Sequence, residues 1–285
     1  MTPALIRNCK HNSGLYLVAL AVIAYTGTAS AQTYRILLSN DDGIDSPLLH
    51  ILQQELAAIP DVEVVVSAPN ENKSGSSHSS DGGSMVVERI QQDGKFFGYA
   101  VHGRPADAVR FGLIELGKDD PFDLVVSGIN RGANVGDVSH LSGTVGAAME
   151  GIYQGVSAIA ISQATEDVNT VTSARFAAQL VRRYMAEGAP EDTVISINIP
   201  GGELRGVRVM PMGDSYLQTS HYELIEQSGS RSVYEGQRII VRSTNDATDT
   251  YAYQQGYITL TPLKFDWTDQ EVMRQAESWN LQLIE

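Results

Sequence analysis

Short, continuous apolar runs alternate with amphipathic helical segments through the first two thirds of this chain. The apolar runs fall at residues 34–39, 62–68, 123–127 and 158–162. Between the first two, Leu48, Leu52 and Leu56 recur at the spacing of one helix face. Continuous β-branched runs separated by amphipathic helices are typical of a mostly parallel sheet covered on both faces. We therefore predict an α/β fold with a doubly wound, mostly parallel, Rossmann-like sheet.

The pattern changes after about residue 195. Strand-like runs continue with little helix between them, and the polar segments 228–235 and 243–250 are predicted to be loops. We predict β-hairpin extensions and a final helix over about 269–281. One domain then covers residues 32–285, with a Rossmann-like core to about 200 and a β-rich extension over 201–285. Projecting hairpins often pair with another subunit.

Residues 1–31 have the layout of a secretory signal peptide. A short basic segment precedes an apolar run at 15–24, and small residues at 29–31 permit cleavage after Ala31. The alternative is an uncleaved anchor, but the run is shorter than the roughly 20 residues that span a bilayer. The single cysteine, Cys9, lies in this segment, so the processed chain would contain no disulfide. We expect an exported protein, periplasmic or secreted, without stable membrane insertion after signal removal.

The formal net charge of −14 limits the partners of the chain. It argues against binding of polymeric nucleic acid or of anionic membranes. It does not exclude a small phosphate substrate, because charges beyond a Debye length of about 8 Å are largely screened. A cation held about 4 Å from the phosphate interacts by on the order of 4 kcal/mol near a protein surface and outweighs the distant acidic residues.

Polar segments follow three of the predicted strands. Asn40-Asp41-Asp42-Gly43 follows the first, a serine-rich loop at 70–84 the second, and a glycine- and asparagine-rich loop at 128–142 the third. Ligands of open α/β sheets bind beyond the carboxyl ends of the strands, so the three segments should converge. Taken singly, the first also fits an Asx turn, and the serine-rich loop fits a flexible surface loop.

The adjacent carboxylates of Asp41 and Asp42 favour a metal site at this edge. Two such groups need a cation, a proton or hydrogen-bond donors. The following helix can begin at Ser46-Pro47 without them. Oxygen ligands suit Mg²⁺, Mn²⁺ or Ca²⁺, whereas zinc favours the histidine and cysteine ligands that this pattern lacks. We predict one divalent metal ion.

Ser142-Gly143-Thr144 precedes another predicted helix. A serine cap followed by glycine leaves backbone N–H groups at a helix N-terminus, which is a ready anion site. An ordinary N-cap is the alternative. Beside a metal site, we favour phosphate binding.

Several segments, in this order, resemble the survival protein SurE family of nucleotidases: SNDDG, NKSGSS, GRPADAVRFGL, DLVVSGINRGANVGD, SGTVGAAMEG and GYITLTPLKFDWT. The resemblance covers essentially the whole chain after residue 31. It implies a divalent metal held by Asp41, Asp42, Ser74 and Asn130. It further implies 5′- and 3′-nucleoside monophosphatase activity, some action on short polyphosphate, and a dimer or tetramer built by exchanged C-terminal hairpins.

This chain departs from the family pattern at a few positions. Leu48 stands where the family usually has glycine, Leu141 where it has tyrosine, and Arg104 where it has threonine. A signal peptide is also unusual for a family known mostly from the cytoplasm. These departures do not touch the implied metal ligands and bear on base preference and polyphosphate activity.

The expected activity is metal-dependent hydrolysis of nucleoside 5′- and 3′-monophosphates, with Asp41, Asp42 and Asn130 as catalytic residues. The residues expected to contact phosphate or substrate are Asn40, Gly75, Asn134, Ser142, Gly143 and Thr144. One alternative is a broader phosphatase or exopolyphosphatase. Another is a non-catalytic exported protein that binds nucleotides or phosphate.

Overall fold

The computed structural model describes residues 33–283, so the predicted signal peptide lies outside the described residues. The helices are α1 (Pro47–Ala57), α2 (Pro105–Phe111), α3 (Gly143–Tyr153), α4 (Thr170–Glu187), α5 (Asp249–Gln254) and α6 (Gln270–Glu277). The strands are β1 (Tyr34–Ser39), β2 (Val62–Pro69), β3 (Val86–Gln92), β4 (Lys95–His102), β5 (Leu124–Arg131), β6 (Ala158–Gln163), β7 (Thr193–Ile199), β8 (Val207–Val209), β9 (Leu217–Ser228), β10 (Arg231–Ile240) and β11 (Ile258–Lys264).

Nine of these strands form one sheet in the order β3-β4-β2-β1-β5-β6-β7-β11-β8. Strand β1 pairs in parallel with both β2 and β5, and parallel pairing continues through β6 and β7. Strands β2 and β5 therefore lie on opposite sides of β1, and the carboxyl end of β1 is a topological switch point of the sheet. The predicted doubly wound, mostly parallel sheet is confirmed.

The two faces of the sheet are covered by different helices. Ile36 and Leu38 of β1 pack in a cluster with buried residues of α1 and α4, whereas Leu37 packs with residues of α2 and α3. Successive side chains of a strand point to opposite faces, so a strand covered on both sides must be apolar throughout. This explains why β1 appears in the sequence as a continuous apolar run. None of the helices in residues 33–283 is long and apolar enough to cross a membrane.

Strand β5 is longer than the sequence suggested. The predicted strand ended at Ser127 and a loop was expected from Gly128, but the strand continues to Arg131. A Cβ atom at Gly128 would lie 2.4 Å from the carbonyl oxygen of Ile161 on β6. The predicted start of the loop at Gly128 was wrong, because this glycine permits a close approach of two strands and the loop begins only after Arg131. Asn130 therefore lies on a strand.

The segment after residue 200 contains both an isolated hairpin and strands of the main sheet. The loop predicted at 228–235 was wrong, because β9 and β10 pair in an antiparallel hairpin whose turn includes Gly229 at φ +61°. Most residues of this hairpin are exposed on both faces, so no alternation of apolar and polar residues marks it. Strand β11 pairs with β7, and β8 pairs with β11. Helix α5 begins within the loop predicted at 243–250.

Candidate active site

Asp41 is the second residue after β1 and its side chain is buried, with the residue 2% exposed. Burial raises the pKa of its carboxyl to about 6 against the opposing hydrogen bond from the Thr144 hydroxyl, and the charge of Asp42 adds to the rise. Thr144 donates this hydrogen bond to Oδ1 of Asp41. The N-terminus of α3 thus contacts a carboxylate that has lost most of its hydration.

Asp42 connects two of the segments predicted to converge. Its Oδ1 accepts a hydrogen bond from the Asn72 side chain (3.1 Å), and its Oδ2 accepts one from the backbone N–H of Arg131 (3.3 Å). Burial raises the pKa of Asp42 even though these hydrogen bonds and the Arg131 charge lower it. The loop after β2 and the end of β5 therefore meet at this carboxylate, as the sequence predicted.

Asn40 shapes the turn that presents the two aspartates. Its side-chain nitrogen donates to the Gly43 carbonyl (2.9 Å), and its side-chain oxygen accepts from the Gly43 N–H (3.2 Å). The Asx-turn interpretation and the metal interpretation of this segment are therefore compatible, because Asn40 makes the turn. A contact between Asn40 and substrate stays a prediction.

Two glycines of α3 allow the neighbouring segments of the site to pack closely against the helix. A Cβ atom on Gly143 would lie 2.8 Å from Cβ of Asp41, and one on Gly146 would lie 2.1 Å from the carbonyl oxygen of Ser77. Helix α3 can therefore pack against both the β1 turn and the serine-rich loop. The Ser142 hydroxyl accepts a hydrogen bond from the Val145 N–H (3.1 Å) and so serves as an N-cap. Phosphate binding by Ser142, Gly143 and Thr144 stays a prediction.

The remaining predicted residues lie on β5 and in the loops that follow β2 and β5. Asn130 is 8% exposed, and its side-chain nitrogen donates to the Gly132 carbonyl (2.6 Å), so Oδ1 is the atom with which it would bind a cation. Ser74 and Gly75 lie in the exposed part of the serine-rich loop, where the Ser74 N–H donates to the Asn72 side chain (3.0 Å). The Asn134 side chain donates to the Ser162 hydroxyl (2.8 Å), which fixes it against β6.

Glu150, which the sequence did not single out, holds the serine-rich loop to the helices. Glu150 of α3 is fully buried and accepts hydrogen bonds from Arg110 (2.8 and 3.0 Å), His78 (2.7 Å) and Gln154 (2.8 Å). Burial acts to raise the pKa of Glu150, but these hydrogen bonds outweigh it and the pKa is lowered. A lone acidic residue on an otherwise apolar helix was the only signal for it.

Arg104, which stands where the family usually has threonine, forms an ion pair with Asp81 (2.6 Å).

The residues present fit a hard divalent cation. The part of the chain that the structure describes contains no group of three or more His, Cys, Asp and Glu side chains that could hold a metal ion. The candidate set instead combines two carboxylates with neutral oxygen atoms. Two adjacent carboxylates that are desolvated and have raised pKa values gain from a cation, and oxygen ligands are those that Mg²⁺, Mn²⁺ and Ca²⁺ prefer.

Comparison with known families identifies the fold. The family model described as "Survival protein SurE" matches residues 36–219, a range that includes all of the site residues discussed above. The chain belongs to the SurE family. A SurE protein from Aquifex aeolicus, of known crystal structure, superposes with a TM-score of 0.72 at 31% sequence identity, covering 86% of this chain and 99% of that one.

Curated SurE relatives match over nearly their whole length. The 5′-nucleotidase SurE of Chlorobium phaeobacteroides is 36% identical over 251 residues, which is 86% of this chain and 96% of the relative. The 5′-nucleotidase SurE of Vibrio vulnificus (strain CMCP6) is 36% identical over 258 residues, or 87% and 96% of the two chains. The similarity therefore extends past residue 219, where the match to the family model ends.

The Thr144 hydroxyl offers a test of the site that leaves the candidate ligands in place. We expect Thr144→Val to lower the affinity for Mn²⁺ by about 10- to 100-fold, because the shape is kept while the hydrogen bond that orients Asp41 is lost. Thr144→Ser keeps the hydroxyl and should retain most of the affinity. Titration calorimetry measures both. Equal affinities in Thr144→Val and wild type would show that this hydrogen bond does not position a metal ligand.

Proposed function

We propose that this SurE-family protein hydrolyses nucleoside monophosphates to nucleoside and phosphate, using a divalent metal ion held at Asp41 and Asp42. The observation that carries the proposal is the pair of desolvated carboxylates at the switch point of the sheet, of which Asp41 packs against the N-terminus of α3. The curated relatives described as 5′-nucleotidases support the substrate class.

Four side chains would hold the metal ion: Asp41, Asp42, Ser74 and Asn130. When bound, a divalent ion polarises a phosphoryl oxygen and lowers the pKa of a bound water molecule. The chain itself supplies the remaining functions. Thr144 orients Asp41, and the N-terminus of α3 at Gly143 stabilises negative charge that develops on the phosphoryl group. One of the paired carboxylates accepts the proton of the attacking water.

A substrate panel tests the proposed function. Purified protein is incubated with 5′- and 3′-nucleoside monophosphates, ribose 5-phosphate and short polyphosphate, each with Mg²⁺, Mn²⁺ or Ca²⁺. We expect the highest kcat/KM for nucleoside monophosphates, with the 5′-isomers hydrolysed at least as fast as the 3′-isomers. Highest kcat/KM for a sugar phosphate or for polyphosphate would favour the broader phosphatase. Nucleotide binding without phosphate release would favour the non-catalytic binding protein.

We propose that the protein acts as a homodimer or homotetramer through the β9–β10 hairpin. Large apolar side chains on this hairpin are exposed, namely those of Tyr222, Leu224, Ile225, Tyr234, Ile239 and Ile240. A long, exposed pair of strands is unusual in a monomer and is a common means of subunit exchange. Light scattering coupled to size-exclusion chromatography measures the mass in solution, and a monomer at micromolar concentration would contradict this proposal.

We propose further that the protein is exported and cleaved after Ala31. The basic, apolar and small-residue layout of residues 1–31 motivates this assignment. Mass spectrometry of the protein recovered from its native cells should give a mature chain that begins at Gln32. Recovery of the uncleaved chain from the cytosol would contradict it.

A further inference from the structure

A cavity of about 630 Å³ opens beside α3, next to the candidate phosphate site. Ser142 lines this cavity and is followed by Gly143, whose Cβ position is 2.8 Å from Asp41. The cavity therefore begins where the candidate phosphate site ends. Most of its wall is apolar and comes from α3 and from the chain at the end of β11, notably Val145, Met149, Leu263, Phe265 and Trp267.

Two aromatic rings form the part of this wall that follows β11. The Phe265 ring lies edge-on to His78, with ring centroids 5.6 Å apart, and is tilted against Tyr153 at 5.5 Å. The Trp267 ring lies edge-on to His140 at 5.9 Å. Phe265 is 41% exposed and Trp267 is 77% exposed, so each retains a face that a planar ligand can cover. Exposed aromatic faces beside a polar site are well suited to stacking with a planar heterocycle.

The dimensions agree with those of a nucleotide. Ser142 and Met149 both line the cavity and lie seven positions apart on α3, which corresponds to roughly 10 Å along the helix axis. This is comparable to the reach from the phosphate of an extended nucleoside monophosphate to its base. A phosphate placed at Asp41 and Gly143 would therefore bring its base alongside Phe265 and Trp267.

We propose that this cavity binds the base of the substrate, that Phe265 and Trp267 stack on it, and that the site favours purine over pyrimidine nucleoside monophosphates. The inference rests on the proposed function and assigns specificity to the same site. A purine presents a larger planar face than a pyrimidine and gains more from an aromatic wall. The other candidate occupant is the C-terminal segment of a second copy of this chain, and the experiment distinguishes the two.

Steady-state kinetics of Phe265→Ala and Trp267→Ala test the assignment with AMP, CMP and ribose 5-phosphate as substrates. Because base–aromatic stacking is typically worth about five- to 100-fold, we expect each variant to raise the KM for AMP about tenfold more than the KM for ribose 5-phosphate, with kcat for AMP little changed. The wild-type protein should prefer AMP to CMP. Phe96→Ala removes a phenylalanine of similar exposure (47%) from the β3–β4 hairpin and serves as the control.

Different outcomes overturn the base site and the hydrolase activity. Equal changes in the KM for AMP and the KM for ribose 5-phosphate, or no change in either, would overturn the base site while leaving the hydrolase activity intact. If the wild-type protein releases phosphate from no substrate, the proposed function fails. The base site is then judged from adenosine, whose binding should quench tryptophan fluorescence in wild type but not in Trp267→Ala. A change of oligomeric mass in the variants, without a change in KM, would assign the cavity to a second copy of the chain and overturn the proposal.

Discussion

Replacing Asp41 by asparagine is expected to lower kcat for AMP by at least about a thousandfold while leaving the protein folded. The substitution keeps the size of the side chain and an oxygen that can accept the Thr144 hydrogen bond. It removes one of the two charges that hold the cation. Loss of a metal ion that stabilises the transition state by several kcal/mol corresponds to a rate loss of this order.

Stability separates this effect from misfolding. Asp41 is buried beside Asp42, and burial and the neighbouring charge both raise its pKa. Its ionised form is therefore costly in the metal-free protein at neutral pH, and Asp41→Asn should leave Tm unchanged or raise it in the presence of chelator. Asp45→Asn removes an exposed carboxylate a few residues away and should retain activity. Near-normal turnover in Asp41→Asn would refute the assigned role.

The second large effect is expected from Gly146→Ala. A methyl group at this position would lie 2.1 Å from the Ser77 carbonyl oxygen and 2.8 Å from the His78 nitrogen. Both neighbours are backbone atoms, so the serine-rich loop must move away from α3. This loop supplies Ser74, and its Asn72 contacts Asp42. We expect a 10- to 100-fold loss of kcat/KM, because displacement by about 1 Å is sufficient for such a loss, together with destabilisation by about 1–3 kcal/mol.

Gly112→Ala is the matched control for this substitution. Its added methyl group would lie 2.6 Å from the fully buried side chain of Leu37, so it strains the core without pressing on the serine-rich loop. We expect a comparable loss of unfolding free energy with kcat/KM close to wild type. Denaturant unfolding and phosphate release on the same preparations measure both quantities. Equal activity losses in the two variants would show that the Gly146→Ala effect is one of stability alone.

The parts of the fold that depend on local patterns could be predicted from the sequence. The apolar run at 34–39 followed by Asp41 and Asp42 identified a buried strand with carboxylates at its end. Strand burial and turn formation both depend on residues that are close together in the sequence. The Ser142 N-cap of α3 could be predicted for the same reason. Parallel strands bring their carboxyl ends to one edge, so the convergence at Asp42 followed from the order of the strands.

Features that depend on distant contacts could not be predicted. The interactions of Glu150 with Arg110 and His78 join residues 40 and 72 positions apart. Gly128 looked like a loop residue because the carbonyl it must accommodate belongs to Ile161 on another strand. The cavity wall combines α3 with Phe265 and Trp267, more than 100 positions later. A β-hairpin extension was expected after residue 200, but the bounds of β9 and β10 were not, because their exposed strands carry no burial pattern.

Phosphate release from AMP by the purified chain tests the metal-dependent activity itself. It is measured with Mn²⁺ or Mg²⁺, after removal of metal with EDTA, and again after the metal is restored. We predict release with metal, a loss of at least about a hundredfold with EDTA, and recovery on readdition, with Asp41→Asn inactive throughout. Release that continues unchanged in EDTA, or no release by a folded, metal-loaded protein, would contradict a metal-dependent nucleotidase centred on Asp41 and Asp42.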